Sequence, residues 1–171
     1  VQRMVLLDIA PTLSMYAQTN EAFARAYWHW FFLIRPAPLP ETLIEADPDA
    51  YLRSVMGSRS AGLKPFTADA FGEYLRCLQL QGTARGICED YRASASIDLE
   101  HDRADIQAGK YLHLPLLVLW GAEGTVGRCF EPLKEWQHVA TDVRGKALPA
   151  GHYIAEEVPE LLLAEVLGFL R

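Results

Sequence analysis

The 171-residue sequence has few of the features that mark metal sites, membrane spans or nucleic-acid surfaces. Its three cysteines, Cys77, Cys88 and Cys129, form no C-x-x-C pair, which argues against a disulfide framework and a zinc site. The 22 acidic residues outnumber the 16 basic ones, so the net charge of −6 disfavours nucleic acid and anionic membranes as partners. The apolar stretches are too short to span a bilayer. We therefore expect a cytoplasmic protein with reduced cysteines, no metal and no cofactor.

The sequence also lacks a G-x-S-x-G motif, which excludes the nucleophile elbow of a serine hydrolase. What it does contain is typical of a folded globular protein, because 50% of the residues are apolar and 11% are aromatic. A chain of this length predicts one domain, or one domain and a part of another.

The two ends of the sequence alternate apolar runs with helical patterns. The runs Met4–Ile9 and Leu114–Trp120 suit strands that are buried on both faces, and a weaker strand is expected over residues 142–148. Helices are expected over residues 132–140 and 159–170. This alternation predicts a parallel α/β sheet.

The middle of the sequence, residues 12–96, contains helical patterns and aromatic clusters without a convincing buried strand. Helices are expected over residues 46–56 and 69–79. Three alternating prolines, Pro36, Pro38 and Pro40, predict a stiff and extended connection. A helical block inserted between strands of a parallel sheet commonly forms a lid over the strands' carboxyl ends, where ligands bind.

Asp8 is the first candidate functional residue, because it interrupts an apolar run at the carboxyl end of a strand. Burying a carboxylate is costly unless it has a partner, and this edge of the sheet is where ligands bind. The alternative is a carboxylate that caps the following turn. The residues favour the two interpretations equally.

His152 is the second candidate, since it follows the last strand and precedes the last helix in the segment Pro149–Tyr153. The triad base of α/β-hydrolases occupies this place, and Gly151 permits the tight backbone turn. The usual position of the triad acid, after Trp120–Gly121, has no Asp. Glu123 could serve there, but the strand-end Asp8 could equally reach the imidazole, and the missing Asp favours Asp8.

Ring donors are concentrated in the segment Tyr27–Phe32, which contains His29 and Trp30, and a further phenol occurs at Tyr91. Imidazole, indole and phenol groups all donate hydrogen bonds. If they converge in an apolar pocket, they would bind a small anion such as a halide. The alternative is an aromatic helix face packed in a core, and composition alone favours the core.

Six segments of the sequence together resemble the fluoroacetate (haloacetate) dehalogenases of the α/β-hydrolase superfamily. They are Leu7–Thr12, Tyr27–Trp30, Pro36–Glu41, Cys88–Ala93, Leu119–Ala122 and Gly151–His152. The resemblance covers essentially the whole chain. It implies the C-terminal part of the parallel α/β-hydrolase sheet with an inserted helical cap domain. The implied division is a core strand carrying the acid at 1–12, the cap at 13–96 and the C-terminal part of the core at 97–171.

The resemblance also implies a mechanism for a small haloacid substrate such as fluoroacetate. In that family an Asp displaces the halide and forms an ester, which a His-activated water then hydrolyses. Carried over to this sequence, His152 is the base and Asp8 is the acid that orients it. The implied halide-binding donors are His29, Trp30 and Tyr91. A homodimer is a further expectation.

The sequence departs from the family in its nucleophile. The family's nucleophilic Asp, the arginines that hold the substrate carboxylate and the oxyanion-side loop match no segment here. We therefore expect the chain to correspond to the C-terminal half of such an enzyme and to be inactive alone.

Two alternative functions stay open. One is an epoxide hydrolase or another α/β-hydrolase relative, for which lid tyrosines would matter more than a His-Trp pair. The other is a non-catalytic binding module with an exposed sheet edge.

Overall fold

The computed structural model describes residues 1–59 and 61–171, which divide into two compact units. The sheet unit comprises Val1–Thr19 and Glu100–Arg171, and the helical unit comprises Asn20–Leu99. In chain order, the elements are β1 (Met4–Leu7), α1 (Thr12–Ala17), α2 (Glu21–Ala26), α3 (Trp28–Leu33), α4 (Leu39–Ala46), α5 (Pro48–Gly57), α6 (Ala68–Leu78), α7 (Thr83–Ser94), α8 (Ile97–Gln107), β2 (Leu116–Gly121), α9 (Thr125–Cys129), α10 (Pro132–Gln137), β3 (Val143–Leu148), α11 (Ile154–Glu157) and α12 (Pro159–Leu170).

The sheet unit is built on a parallel sheet whose strands, among the described residues, follow the order β1–β2–β3. Met4 pairs with Leu116, and Leu116 pairs with Val143, so the carboxyl ends of the strands meet at one edge. The central strand β2 is almost entirely buried, as expected for a parallel strand that is covered on both faces. The predicted parallel α/β sheet is thus confirmed.

Apolar side chains from β2, β3 and the two C-terminal helices form the core of the sheet unit. Leu117 and Leu119 of β2 pack with Leu148, Ile154 and Phe169. Helix α12 is buried on one side, at Phe169, and exposed on the other. This one-sided burial is what the apolar spacing of the last helix predicts. The core therefore anchors both sides of the loop that contains His152.

Three helices of the helical unit have side-chain caps at their N-termini. The side-chain oxygens of Asn20, Asp47 and Thr67 accept hydrogen bonds from the backbone N–H groups at the starts of α2, α5 and α6. Its buried core packs residues from α3, α4, α6 and α7, namely Leu33, Ile44, Leu78, Ala84 and Cys88. These caps and apolar contacts define the positions of α3 and α7, which carry the predicted anion donors.

The extended connection predicted from the three prolines is wrong. Residues 34–38 form turns, and the N–H of Leu39 donates to the Pro36 carbonyl at 3.3 Å. Pro40 lies in the first turn of α4. Proline is tolerated there because the first N–H groups of a helix have no intrahelical acceptor.

Two further outcomes concern the boundaries and the helices. The domain boundaries expected at residues 12 and 96 stay a prediction. The two compact units of the structure divide after Thr19 and after Leu99. Across residues 1–59 and 61–171, we find no helix with the length and apolar character needed to cross a membrane.

Candidate functional site

Asp8 lies directly after β1, at the edge where the parallel strands end. Its backbone N–H donates to the Leu119 carbonyl at 2.8 Å, which extends the pairing of β1 with β2 by one residue. Its φ of +48° is in the left-handed region, which Asp adopts more readily than most residues. This turn directs the chain away from the sheet, and the Asp8 side chain is only 2% exposed.

Both carboxylate oxygens of Asp8 contact residues at the carboxyl ends of the other two strands. Oδ2 lies 2.7 Å from Nδ1 of His152, and Oδ1 accepts the Gly121 N–H at 3.0 Å. Because a carboxylate only accepts hydrogen bonds, the Nδ1 of His152 carries the donated proton. The neutral ring is then basic at Nε2, and the buried carboxylate stabilises the imidazolium that forms when Nε2 takes a proton.

The loop that carries His152 is held by a residue that sequence reasoning missed. The carboxylate of Glu157 accepts the Gly151 N–H at 2.6 Å and the Tyr153 N–H at 3.1 Å. It therefore binds the backbone on both sides of His152. Glu157 could have been identified from its position, because an acidic residue in the helical turn after a Gly-His loop can accept the loop's N–H groups.

Close backbone approach explains the glycines at the end of β2 and just after it. A Cβ atom on Gly121 would overlap the Gly151 carbonyl, so no larger residue fits where the His152 loop passes. A Cβ on Gly124 would lie 3.1 Å from Oδ1 of Asp8. These glycines let the end of β2 approach both members of the Asp8–His152 pair.

Glu123, the alternative acid, is exposed. Its backbone N–H donates to the Ala150 carbonyl at 3.0 Å. The carboxylate in direct contact with His152 is that of Asp8. The geometry therefore favours Asp8 for the role of orienting acid.

In the helical unit, the three predicted anion donors lie against one another. His29 and Trp30, on α3, are buried, and Tyr91, on α7, is half-buried. The Tyr91 ring centroid lies 6.0 Å from that of His29 and 6.1 Å from that of Trp30, both in edge-on contact. The structure thus brings these side chains into one aromatic cluster, as either a donor set or a packed core would require.

A second residue missed by sequence reasoning, Arg59, lies at this cluster. It follows α5 and is only 8% exposed. Its Nη2 is 3.2 Å from Nε2 of His29, and its guanidinium carbon lies 4.2 Å from the centroid of the Tyr27 ring. A single arginine after a helix has no sequence signature, so its burial against α3 could not be read from the residue order.

Two segments that carry the family resemblance bind each other through a buried ion pair. Nη1 of Arg92, from the Cys88–Ala93 segment, lies 2.7 Å from Oε1 of Glu41, from the proline segment. The hydrogen bond from Arg92 lowers the pKa of the Glu41 carboxyl below its usual 4.5. Arg92 also donates to the Arg35 carbonyl at 2.8 Å. These segments therefore stabilise the helical unit around α4 and α7.

The described residues, 1–59 and 61–171, contain no group of three or more His, Cys, Asp or Glu side chains that could hold a metal ion. The chemistry that the arrangement itself supports is proton transfer at Nε2 of His152. The aromatic cluster and Arg59 add hydrogen-bond donors and a positive charge in the helical unit.

Solved structures share this architecture over nearly the whole chain. A protein from Nostoc sp PCC 7120, proposed to be an α/β-hydrolase, is 46% identical and superposes with a TM-score of 0.93, covering 99% of this chain and 58% of that one. A proposed epoxide hydrolase from Pseudomonas aeruginosa is 35% identical with a TM-score of 0.92, covering 99% of this chain and 57% of that one. The chain therefore has the fold of the C-terminal part of an α/β-hydrolase.

Two curated relatives with known names are a dehalogenase and an epoxide hydrolase. Fluoroacetate dehalogenase from Burkholderia sp is 35% identical over 161 residues, or 94% of this chain and 52% of the relative. The soluble epoxide hydrolase of Corynebacterium sp. strain C12 is 28% identical over 176 residues, or 99% of this chain and 58% of the relative. No protein-family model matches the chain. The chain is a homologue of fluoroacetate dehalogenase, which confirms the resemblance read from its six segments.

The chain spans a little more than half the length of these relatives, between 52% and 58%. This share agrees with the C-terminal portion that the resemblance implies.

Proposed function

We propose that the chain supplies the base, the orienting acid and the halide-binding cap of a haloacetate dehalogenase. A carboxylate nucleophile outside the segments matched here would attack the carbon that bears the halogen. The carbon–halogen bond breaks, its electron pair leaves with the halide, and an ester forms. Water then attacks the ester carbonyl while Nε2 of His152 takes its proton, which releases a hydroxyacid and restores the carboxylate.

The observation that carries this proposal is the clustering of His29, Trp30 and Tyr91. Fluoride is a poor leaving group, so donors aimed at its developing charge lower the barrier most in the transition state. The contact between Asp8 and His152 at 2.7 Å supports the second half of the reaction. The 35% identity with the Burkholderia fluoroacetate dehalogenase supports the choice of substrate class.

Epoxide hydrolysis is the second candidate, because an epoxide hydrolase matches 99% of the chain. Both reactions use the same base and acid, and they differ in what the cap donors stabilise. A departing halide ion leaves the carbon, whereas an epoxide oxygen stays bound to it. The cap residues rather than Asp8 and His152 therefore discriminate between the two functions.

A hybrid enzyme tests the proposal. The matching 52% of the Burkholderia fluoroacetate dehalogenase is replaced by this chain, and the hybrid is supplied with fluoroacetate or with an aliphatic epoxide. We expect fluoride release from fluoroacetate and little epoxide opening. His152→Gln in the hybrid should release at most one equivalent of fluoride and leave the ester on the nucleophile, visible as an added mass on the protein.

The chain alone is the control, and it should release no fluoride, because a base without a nucleophile activates only bulk water. Turnover by the chain alone that His152→Ala abolishes would contradict the proposed division of roles. A folded hybrid that opens the epoxide but leaves fluoroacetate intact would favour the epoxide hydrolase.

A further inference from the structure

Arg59 carries a buried positive charge that the catalytic scheme above does not use. Its guanidinium is stacked on the Tyr27 ring, and its Nη1 makes only a long contact of 3.5 Å with the Ala26 carbonyl. Its Nε is buried and has no hydrogen-bond partner among the described residues. The donors of this side chain are therefore only partly satisfied by the protein.

The charge of Arg59 also lacks a carboxylate partner within the part of the chain that the structure describes. Arg92, in the same unit, shows the usual solution, since its guanidinium lies 2.7 Å from the Glu41 carboxylate. A buried charge without a counter-charge is costly, and stacking on Tyr27 compensates for only a part of that cost. An anion bound at the guanidinium would supply the missing negative charge.

Two tyrosines lie near this cation, Tyr27 in direct contact and Tyr51 within electrostatic range. The Tyr51 hydroxyl is close enough for Arg59 and Tyr91 to act on it electrostatically, and burial raises the pKa of Tyr51 well above its usual value. Tyr51 is therefore protonated at neutral pH and is a hydrogen-bond donor. The neighbourhood of Arg59 offers donors and one positive charge, which is the chemistry that binds a small anion.

The contact with Arg59 also restricts the role of His29. A guanidinium has only donors and does not lose its proton, so Nε2 of His29, at 3.2 Å from Nη2, accepts the hydrogen bond. The imidazole proton then lies on Nδ1. In this arrangement Nε2 of His29 holds the guanidinium, and Nδ1–H is the ring donor that can serve the halide subsite.

We propose that Arg59 is the anchor of an anion site in the helical unit, which takes a small monovalent anion. His29 is a positioning residue for the guanidinium. The proposal deepens the halide subsite of the proposed function and rests on it. The bound anion is either a halide ion or the carboxylate of a small haloacid, since both present one negative charge to the guanidinium.

Anion titrations of the 171-residue chain test the proposal. Tryptophan fluorescence, to which Trp30 contributes, is followed during titration with sodium chloride or sodium acetate, at an ionic strength held constant with sodium sulfate, whose anion is divalent. We expect a saturable change in the wild-type chain. Chloride alone would identify a halide site, acetate alone a carboxylate site, and both a general monoanion site.

Three variants are compared with the wild-type chain. Arg59→Gln should weaken binding by about tenfold or more, because it removes a charge-assisted hydrogen bond. Arg59→Lys keeps the charge and should retain measurable binding. Arg53→Gln is the matched control, because Arg53 also lies over an aromatic ring, that of Phe71, but is exposed and paired with Asp49. It should bind like the wild type.

Thermal unfolding separates anion binding from a structural role. Chloride or acetate should raise the Tm of the wild-type chain and leave that of Arg59→Gln unchanged. Without the anion, Arg59→Gln should be no less stable, because it removes an uncompensated buried charge. A fall in Tm that is the same with and without anion would mean that Arg59 is structural, which overturns the proposal.

The outcomes also distinguish this proposal from the proposed function. Saturable binding that is unchanged in Arg59→Gln overturns the role of Arg59 and leaves the halide subsite of His29, Trp30 and Tyr91 in place. If the wild-type chain binds neither anion, both the anchor and the halide subsite fail. Fluoride release by the hybrid would then have to depend on other residues.

Discussion

The sheet unit and the helical unit each hold a histidine against a charged partner, and the two partners have opposite sign. In the sheet unit the Asp8 carboxylate accepts the Nδ1 proton of His152 at 2.7 Å. In the helical unit the Arg59 guanidinium lies 3.2 Å from Nε2 of His29. His152 donates a hydrogen bond to its charged partner, whereas His29 accepts one from its own. The same residue type thus contacts a carboxylate as a donor in one unit and a guanidinium as an acceptor in the other.

The largest effect is expected from Asp8→Asn, which removes the carboxylate side of this comparison. An amide can donate to Nδ1 of His152 and stabilise the wrong tautomer, and it no longer compensates the imidazolium. Ester hydrolysis in the hybrid should fall by about 10³-fold or more. In the chain itself, the low-field NMR signal of the Nδ1 proton should disappear.

Glu123→Gln is the matched control for Asp8→Asn, because Glu123 follows the adjacent strand but is exposed. It should leave both the hydrolysis rate and the NMR signal unchanged. A larger loss in Glu123→Gln than in Asp8→Asn would assign the acid to Glu123.

A smaller effect, on stability, is expected from Glu41→Gln. The variant removes the buried carboxylate partner of Arg92, which then keeps, among the described residues, only the exposed Glu89 carboxylate at 3.0 Å. Since the Arg92 and Glu41 side chains are only 17% and 10% exposed, the free energy of unfolding at pH 7 should fall by about 3 kcal/mol. Urea denaturation of the chain and the variant measures this difference.

The stabilisation by the Glu41 carboxylate should depend on pH in a defined direction. The pKa of Glu41 is lowered in the folded chain, so its contribution is present above the ordinary carboxyl pKa and is lost as the pH falls through the folded value. The difference between the chain and Glu41→Gln should therefore shrink between pH 7 and about pH 3.

Glu73→Gln is the control for Glu41→Gln. Glu73 also has a lowered pKa, of about 2, because it binds Arg76, but this ion pair is exposed to solvent. Water and salt screen such a pair, so its loss should change the free energy of unfolding very little. An equal loss of stability in both variants would contradict the importance that we assign to burial.

The smallest effect is expected from Glu157→Ala, which leaves Asp8 and His152 intact but releases the loop that carries His152. The variant removes the acceptor of the Gly151 and Tyr153 N–H groups. The chain should lose about 1–2 kcal/mol of stability, and fluoride release by the hybrid should fall by about tenfold. Activity and urea denaturation are measured on the same preparations.

The exposed Glu160 provides the control for Glu157→Ala, since it is a nearby glutamate in the first turn of α12. Glu160→Ala should change neither quantity appreciably. If Glu157→Ala lowers stability but leaves the fluoride-release rate unchanged, Glu157 is structural and does not position His152.

Much of the fold could be predicted from local patterns. The apolar runs coincide with β1 and β2, and the spacing of the last helix agrees with α12, Pro159–Leu170. The proline connection could not be predicted in the same way, because proline is compatible with both an extended chain and the first turn of a helix. The first-turn position of Pro40 depends on where α4 packs and on the ion pair of the adjacent Glu41.

The candidate site was only partly predictable for a related reason. His152 could be recognised from a local sequence context, that of a strand, a Gly-His loop and a helix. For His29 and Trp30, composition alone favoured a packed core, and the contacts with Tyr91 are compatible with both interpretations. Arg59 was missed because its burial results from contact with Tyr27 and His29, about thirty positions earlier.

By itself, the sequence determined the alternation of strands and helices, the glycines at close approaches and the family to which the chain is related. These depend on periodicity, on backbone freedom and on segments of a few residues. Only the tertiary structure decided which charges meet, because Asp8 and His152 are 144 positions apart and Arg59 and His29 are 30 apart. Hydrogen bonds and charge pairs act over a few ångströms in space, and that distance is set by folding rather than by position in the chain.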